Sequence, residues 1–219
     1  MRHCHGTRVT GDEIVASGVP PHSKVRDAIS PVLAALLTSW NVTVDSSRVS
    51  DQPAEALTTA VSEALDRYDI TVVCGSSSVG PADGLRHTVA EAGARVHVDG
   101  VACRPGHPQL LAQRRQHRLV GVPGNPFAAL VAAVTVLQPL LAGLNGRDLP
   151  DLPTAQLHGT THAAPHATRL VPIHLQQQQA HVINGAHPGY LGPAAHADAL
   201  AVIPPGWDHE PVELLTLNS

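Results

Sequence analysis

The chain has 219 residues, with 14 basic against 18 acidic side chains and a net charge of −4 at pH 7 when its 15 histidines are neutral. That balance excludes a strongly basic surface built for nucleic acid or for an anionic membrane. Hydrophobic residues at 43% allow a sizeable core, and with only 2% aromatics that core must be built from Ala, Val, Leu and Ile.

Cys4, Cys74 and Cys103 are too few and too scattered for a disulfide framework or a metal-binding CxxC pair, so a reducing compartment is expected. The start, MRHCHGTRVTGDE, shows no apolar signal-peptide region. A cytoplasmic protein with no nucleic-acid or membrane partner follows as the expectation.

Residues 25–40 place Val25, Ile29, Val32, Leu33, Leu36 and Leu37 on one helical face, with Pro31 marking a kink or a start near Ser30. Residues 41–44 are a short β-branched piece. Residues 51–68 open on Asp51-Gln52-Pro53, a capping residue with proline in the first turn, and continue with Leu57, Val61 and Leu65. Ile70-Thr71-Val72-Val73-Cys74 has no polar face, as in a strand at the centre of a parallel sheet. A Gly/Ser loop, a helix over 83–92 and strands over 95–98 and 119–122 follow. Residues 127–144 are nearly all apolar but contain Gln138 and Pro139, and are expected as a buried helix of a soluble protein. The pattern predicts an α/β domain over residues 1–147, with a doubly wound, mostly parallel sheet.

Beyond a Pro-rich, acidic linker at 148–153 the helical pattern ends. Strand-like pieces at 169–175, 181–184, 199–203 and 212–217 predict a small, β-barrel-like domain over 148–219, dispensable for folding of the first. Gln176 to Gln179 is expected to be a hairpin tip. The histidines at 3 and 5, and at 158, 162 and 166, lack cysteine partners and regular spacing, and are read as exposed polar residues rather than as a metal site.

Three loops at predicted strand ends could carry chemistry, because strand ends face the ligand crevice of an open parallel sheet. The first is Thr10-Gly11-Asp12-Glu13, with two adjacent carboxylates. The second is Gly75-Ser76-Ser77-Ser78-Val79-Gly80-Pro81-Ala82-Asp83. Its glycines let backbone N–H groups approach a phosphate, its hydroxyls add donors, and Asp83 heads a helix where it can cap or bind a metal. The third is Pro123-Gly124-Asn125-Pro126, in which Asn125 can cap the apolar helix. Upstream, Arg104-Pro105-Gly106-His107-Pro108 forms a rigid turn that carries a second cation when His107 is protonated.

These four motifs, in this order and spacing, resemble the MoeA-type molybdopterin molybdenumtransferases, related to the E domain of gephyrin, from about Thr10 to Arg147 and more weakly to Leu217. The resemblance implies a molybdopterin-binding α/β domain with a small β-barrel, insertion of molybdate into adenylylated molybdopterin with release of AMP, Mg²⁺ assistance, and a dimer. By the same resemblance Asp12, Glu13 and Asp83 would be catalytic, and Glu13, Asp51 and Asp83 would lie near metal. Pterin and phosphate would be held by Gly75, Ser76, Ser77, Ser78, Gly80, Pro105, Gly106, His107, Pro108, Pro123, Gly124 and Asn125.

The sequence departs from the family pattern at several points. Only nine residues precede TGDE where the family carries two further domains, so a fragment, or a chain whose missing half comes from a partner, is expected. The family's Asp-Ser-Asn is Asp27-Ala28-Ile29, its Gly-Gly pair is Gly75-Ser76, the Lys of Pro-Gly-Lys-Pro is His107, and a tail Ser is Tyr190. Two alternatives follow: a non-catalytic binding or oligomerisation module, and the molybdopterin adenylyltransferase of the same pathway. The β-rich tail argues against the latter.

Overall fold

The computed structural model describes residues 4–10, 14–49, 54–75, 84–149 and 151–217. Its contacts group the chain into two compact units: Met1–Gly100 with Pro108–Gly124, and Val101–His107 with Asn125–Ser219.

The first unit is built on a six-stranded sheet in the order Thr43–Val49, Cys4–Thr10, Ile70–Cys74, His117–Val122, Leu110–Arg114, Arg95–Asp99. The first four are mutually parallel, and Leu110–Arg114 runs antiparallel to both of its neighbours. The chain leaves Cys4–Thr10 to build one edge and then returns to its other side at Ile70–Cys74. Right-handed crossovers in these opposite directions put helices on both faces, the doubly wound arrangement expected.

Each element follows from local chemistry. Ile70–Cys74 is buried along its whole length, as its apolar run requires. Cys4–Thr10 lies inside the sheet although its sequence is polar, because its neighbour supplies the volume. A Cβ on Gly6 would stand 2.4 Å from the Tyr68 ring, and Tyr68 is 1% exposed. Helix Ile29–Ser39 buries Ile29, Leu33 and Leu37, with Pro31 in the first turn, where its missing N–H costs nothing. Val25 departs from the expected helical face: it pairs in a short strand, Val25–Arg26, with Ile14–Val15 and is exposed. Helices Ala54–Arg67 and Gly84–Glu91 pack Leu57, Val61, Leu65, Leu85 and Val89 against Val73, Leu119, Leu110 and Ala112. Each fully buried leucine there contributes about 2 kcal/mol relative to exposure.

The second unit carries a seven-stranded sheet. Its central strand, Thr168–Gln176, forms a hairpin with Gln179–Val182 and is flanked on the other side by Ala199–Ile203 and then Val212–Thr216. The Gln run is the hairpin tip, as expected, with Gln177 and Gln178 both in the left-handed region (φ 48 and 67) that suits a tight two-residue turn. Cys103–Arg104 joins this sheet by pairing in parallel with Thr168 and Arg169.

The apolar helix also belongs to this unit. It runs from Pro126 to Leu144 and is long and apolar enough to cross a membrane, yet 56% of its most apolar window is buried within the protein. It widens to a π-turn over Ala133–Leu137, just before Pro139. The proline ring would clash with a carbonyl four residues back, and the wider turn accommodates it. At the helix head, Asn125 has extended N-cap geometry but makes no side-chain cap bond. Instead the Phe127 N–H donates to the Pro188 carbonyl at 2.9 Å, so Asn125 is not the cap its sequence position suggests.

Candidate functional site

In the first unit, Thr10, Cys74 and Val122 end three adjacent parallel strands. The Thr10 hydroxyl donates to the Cys74 carbonyl at 3.0 Å, and the Gly75 N–H donates to the Val122 carbonyl at 3.1 Å. The loops expected to carry chemistry therefore leave one edge of the sheet, at the point where the chain reverses its winding direction. Gly75 has a φ of 88, and a Cβ there would stand 2.6 Å from the Thr10 hydroxyl. A Cβ on Gly124 would lie 3.6 Å from the Gly75 Cα. The left-handed backbone and the close approach of Thr10 thus account for Gly75, whereas the space at Gly124 would admit a side chain. The Gly75 N–H, already donated to Val122, is spoken for within the fold.

Asp12, Glu13, Asp51, Ser76, Ser77, Ser78, Gly80 and Asp83 lie outside the described residues. Pro108, Pro123 and Gly124 belong to the first unit; Pro105, Gly106, His107 and Asn125 belong to the second.

One further carboxylate stands out in the first unit. Asp27 Oδ1 accepts the N–H groups of Ile29 (3.1 Å) and Ser30 (2.9 Å), and Oδ2 accepts the Ser30 hydroxyl (2.6 Å) and Arg48 Nη2 (2.9 Å). Burial alone would push its carboxyl up, but the Ser30 hydrogen bonds, the Arg48 charge and the Ile29 N–H together hold it below its ordinary value of 3.8. Arg48 also donates to the Ile14 carbonyl at 2.9 Å, tying the segment after the first strand to this carboxylate. The Cys74 thiol is pushed up by burial and then by the Asp27 charge, which keeps it protonated and unreactive. The signal for Asp27 is present in the sequence: an Asp with Ser three residues on, just before an apolar helical run. With every oxygen engaged, Asp27 is not placed to ligate Mg²⁺.

A separate concavity lies wholly within the second unit. It has a volume of about 550 Å³ and is lined by Arg104, Arg169, His162, His187 and Asn184 among others, with no Asp or Glu among its described lining residues. Arg104 and Arg169 are register partners on parallel strands and both line the concavity, so two like charges are carried on neighbouring strands of one wall. Arg169 Nη1 reaches the His162 carbonyl at 3.4 Å. The Gly189 N–H donates to His187 Nδ1 at 3.2 Å, which leaves the Nε2 proton of that ring as a donor. Two cations on neighbouring strands without a counter-carboxylate form a chemistry suited to an anion, above all a planar or tetrahedral oxyanion. On the nearby turn, His107 Nδ1 donates to the Val101 carbonyl at 2.8 Å. When neutral it therefore offers a lone pair at Nε2, and it can donate to an anion there only as the imidazolium. The sequence does not single out Arg169, and it marks Arg104 only as part of its turn.

Residues 6–143 match the family described as a probable molybdopterin binding domain, and the chain belongs to that family. Its place is accordingly in molybdenum cofactor biosynthesis. No curated protein matches it. Among solved structures it is similar to two of the MoeA molybdopterin biosynthesis protein from Pyrococcus horikoshii, at 21% and 15% identity and TM-scores of 0.81 and 0.80. Each match covers 98% of this chain and 54% of the other, so the chain spans about half their length. A molybdenum cofactor biosynthesis protein from Pyrococcus furiosus is similar at 16% identity, a TM-score of 0.71, and coverage of 98% and 68%. At these identities the likeness is one of fold.

Proposed function

We propose that the chain serves the step that inserts molybdate into adenylylated molybdopterin with release of AMP, as a soluble, cytoplasmic protein that dimerises or works with a partner supplying further domains. The observation that carries the reading is the concavity lined by Arg104 and Arg169, register partners on neighbouring strands, with no Asp or Glu among its described lining residues. Two arginines lining one concavity suit molybdate or the phosphate of the nucleotide. The family supplies the molybdopterin specificity, and the strand ends at Thr10, Cys74 and Val122 supply a switch-point edge of the kind at which open parallel sheets take their ligands. Mg²⁺ would assist by neutralising phosphate charge, with Glu13, Asp51 and Asp83 as the carboxylates proposed to hold it.

A second reading, a binding module without catalysis, is favoured by one observation. Asp27, the carboxylate kept from the family's Asp-Ser-Asn, spends all its hydrogen-bonding capacity on the helix head and Arg48. Equilibrium dialysis with molybdate, and calorimetry with molybdopterin and its adenylylated form, separate the readings. Molybdate binding that falls at least tenfold in both Arg104→Ala and Arg169→Ala supports the insertion reading. Molybdopterin binding without any molybdate binding supports the module. Binding of neither removes both.

A further inference from the structure

Aromatic side chains are few in this chain, and one of them is placed differently from the rest. Tyr68 and Phe127 are buried, Trp40 and Trp207 are partly buried, and Tyr190 is 61% exposed. Tyr190 ends the turn His187-Pro188-Gly189-Tyr190, in which its N–H donates to the His187 carbonyl at 2.9 Å. The first two residues of that turn line the arginine-bearing concavity. The end Cα atoms of such a turn lie within about 7 Å of each other, so the tyrosine stands one short step beyond the concavity wall. The turn is pinned in place: the Phe127 N–H donates to the Pro188 carbonyl at 2.9 Å, and the Gly189 N–H donates to His187 Nδ1 at 3.2 Å. The phenol lies against Gly192, where a Cβ would stand 2.4 Å from its Cζ and hydroxyl oxygen. The ring is thereby held from one side, while most of its surface stays open.

The concavity, at about 550 Å³, is larger than a lone oxyanion needs. Four oxygens at about the 30 Å³ that a water occupies come to on the order of 120 Å³. Its volume falls instead in the range of about 300–1,000 Å³ found for sites that take an organic ligand. Phe127, Val182, Ile183 and Pro188 give it an apolar lining beside Arg104 and Arg169. An anion site of this size and lining suits a ligand with a charged end and a larger, less polar body. We propose, resting on that anion reading, that Tyr190 recognises the body. The ligand is then a phosphorylated heteroaromatic compound, a nucleotide or a phosphorylated pterin, whose flat ring stacks on the phenol while its oxyanion engages Arg104 and Arg169. Tyrosine suits this task because its ring stacks in an offset geometry on other π-systems and has only two χ angles to order. Stacking is tolerant of the hydrogen-bonding edge of the ring, so Tyr190 selects for a flat ring rather than for a particular base. A lone exposed tyrosine needs no explanation; the pinned turn and the cations one step away give this one a role.

The test is calorimetry on the full chain with ring-bearing and ring-free probes. AMP and 6-hydroxymethylpterin phosphate carry a ring; ribose 5-phosphate and inorganic phosphate do not. The wild type should bind at least one ring-bearing probe about tenfold more tightly than the ring-free ones, the effect of one base–aromatic stack. Whichever of AMP and the pterin phosphate binds more tightly identifies the source of the ring. Tyr190→Ser should abolish that advantage and leave the ring-free affinities unchanged, whereas Tyr190→Phe should retain it. Arg104→Ala should weaken every probe that binds. The exposure of Tyr190 allows Tyr190→Ser to fold, which thermal melting checks, and the unchanged ring-free affinities report the same. If phosphate binds and depends on Arg104, but the ring adds nothing or Tyr190→Ser keeps the advantage, this proposal is overturned and the anion reading stands. If no probe binds, the proposal is overturned as well, and molybdate binding alone decides the anion reading.

Discussion

Gly75 shows how one position can look like ligand chemistry in sequence and like packing in structure. A glycine followed by three serines after a buried strand suggests a phosphate cradle. In the fold its φ of 88, and the 2.6 Å that would separate a Cβ here from the Thr10 hydroxyl, make it a structural necessity. Gly75→Ala would incur the left-handed backbone penalty of about 1–2 kcal/mol and would force Thr10 off the Cys74 carbonyl. We expect a loss of stability of about 2–4 kcal/mol in urea denaturation; a loss under about 0.5 kcal/mol, the size of an ordinary surface substitution, would show that the loop simply shifts. Asp27 gives a second expectation, with a sign. Its folded-state pKa is below the ordinary value of 3.8, so its stabilisation is fully present above that value and is lost as pH falls through the folded-state pKa. Asp27→Asn keeps a capping oxygen but loses the charge that faces Arg48 and the Ser30 hydroxyl; it should therefore cost about 1 kcal/mol at pH 7, and the gap to wild type should close as the pH falls below 3.8 through the lowered folded-state pKa. A gap independent of pH would mean that the carboxylate charge plays no part.

Elements are legible where one segment contains its own reason to form. Ile70–Cys74 announces itself by having no polar face, and Ala54–Arg67 by Leu57, Val61 and Leu65. Cys4–Thr10 is harder to see because Gly6 leaves its volume to Tyr68, a residue on another segment. Leu110–Arg114 escapes the sequence reading: its turn relies on Arg115 at φ 57, without the Gly or Asn that marks a tight hairpin. The arginine-lined concavity is invisible for a similar reason, since Arg104 and Arg169 become neighbours only through pairing of Cys103–Arg104 with Thr168–Gln176. That pairing carries its own prediction. Removing one of two opposed like charges should leave stability unchanged or raise it by about 0.2–1 kcal/mol, while weakening anion binding. Arg169→Thr, which keeps a strand-forming side chain, should raise the midpoint of thermal unfolding slightly and lose the gain in midpoint that molybdate gives the wild type. If Arg169→Thr is instead destabilised by more than about 1 kcal/mol, the arginine is a structural strut and the concavity loses its main argument as an anion site.

At the scale of the whole molecule, composition and hydrophobic period suffice for an α/β part followed by a β-rich part, because both depend on averages over many residues. Where the chain can be divided depends instead on individual contacts. The acidic, Pro-rich stretch at 148–153 looks like a linker, and on that ground a chain ending at Arg147 should fold alone. Contacts within the second unit argue otherwise. Ending at Arg147 removes Thr168 and Arg169, the pairing partners of Cys103–Arg104, and Pro188, whose carbonyl takes the Phe127 N–H. It also leaves the helix from Pro126 to Leu144, with its buried Phe127, Leu130, Val131, Val134 and Leu137, in a chain that has lost part of its own unit. Each fully exposed Leu or Phe would forfeit about 2 kcal/mol of burial, against a total stability of only about 5–15 kcal/mol. We therefore expect the truncated chain to aggregate or to bind a hydrophobic dye strongly, and the full chain to do neither. A soluble 1–147 chain with a cooperative unfolding transition and no dye binding would show that the linker is a true boundary, and that the helix is stabilised without residues 148–219.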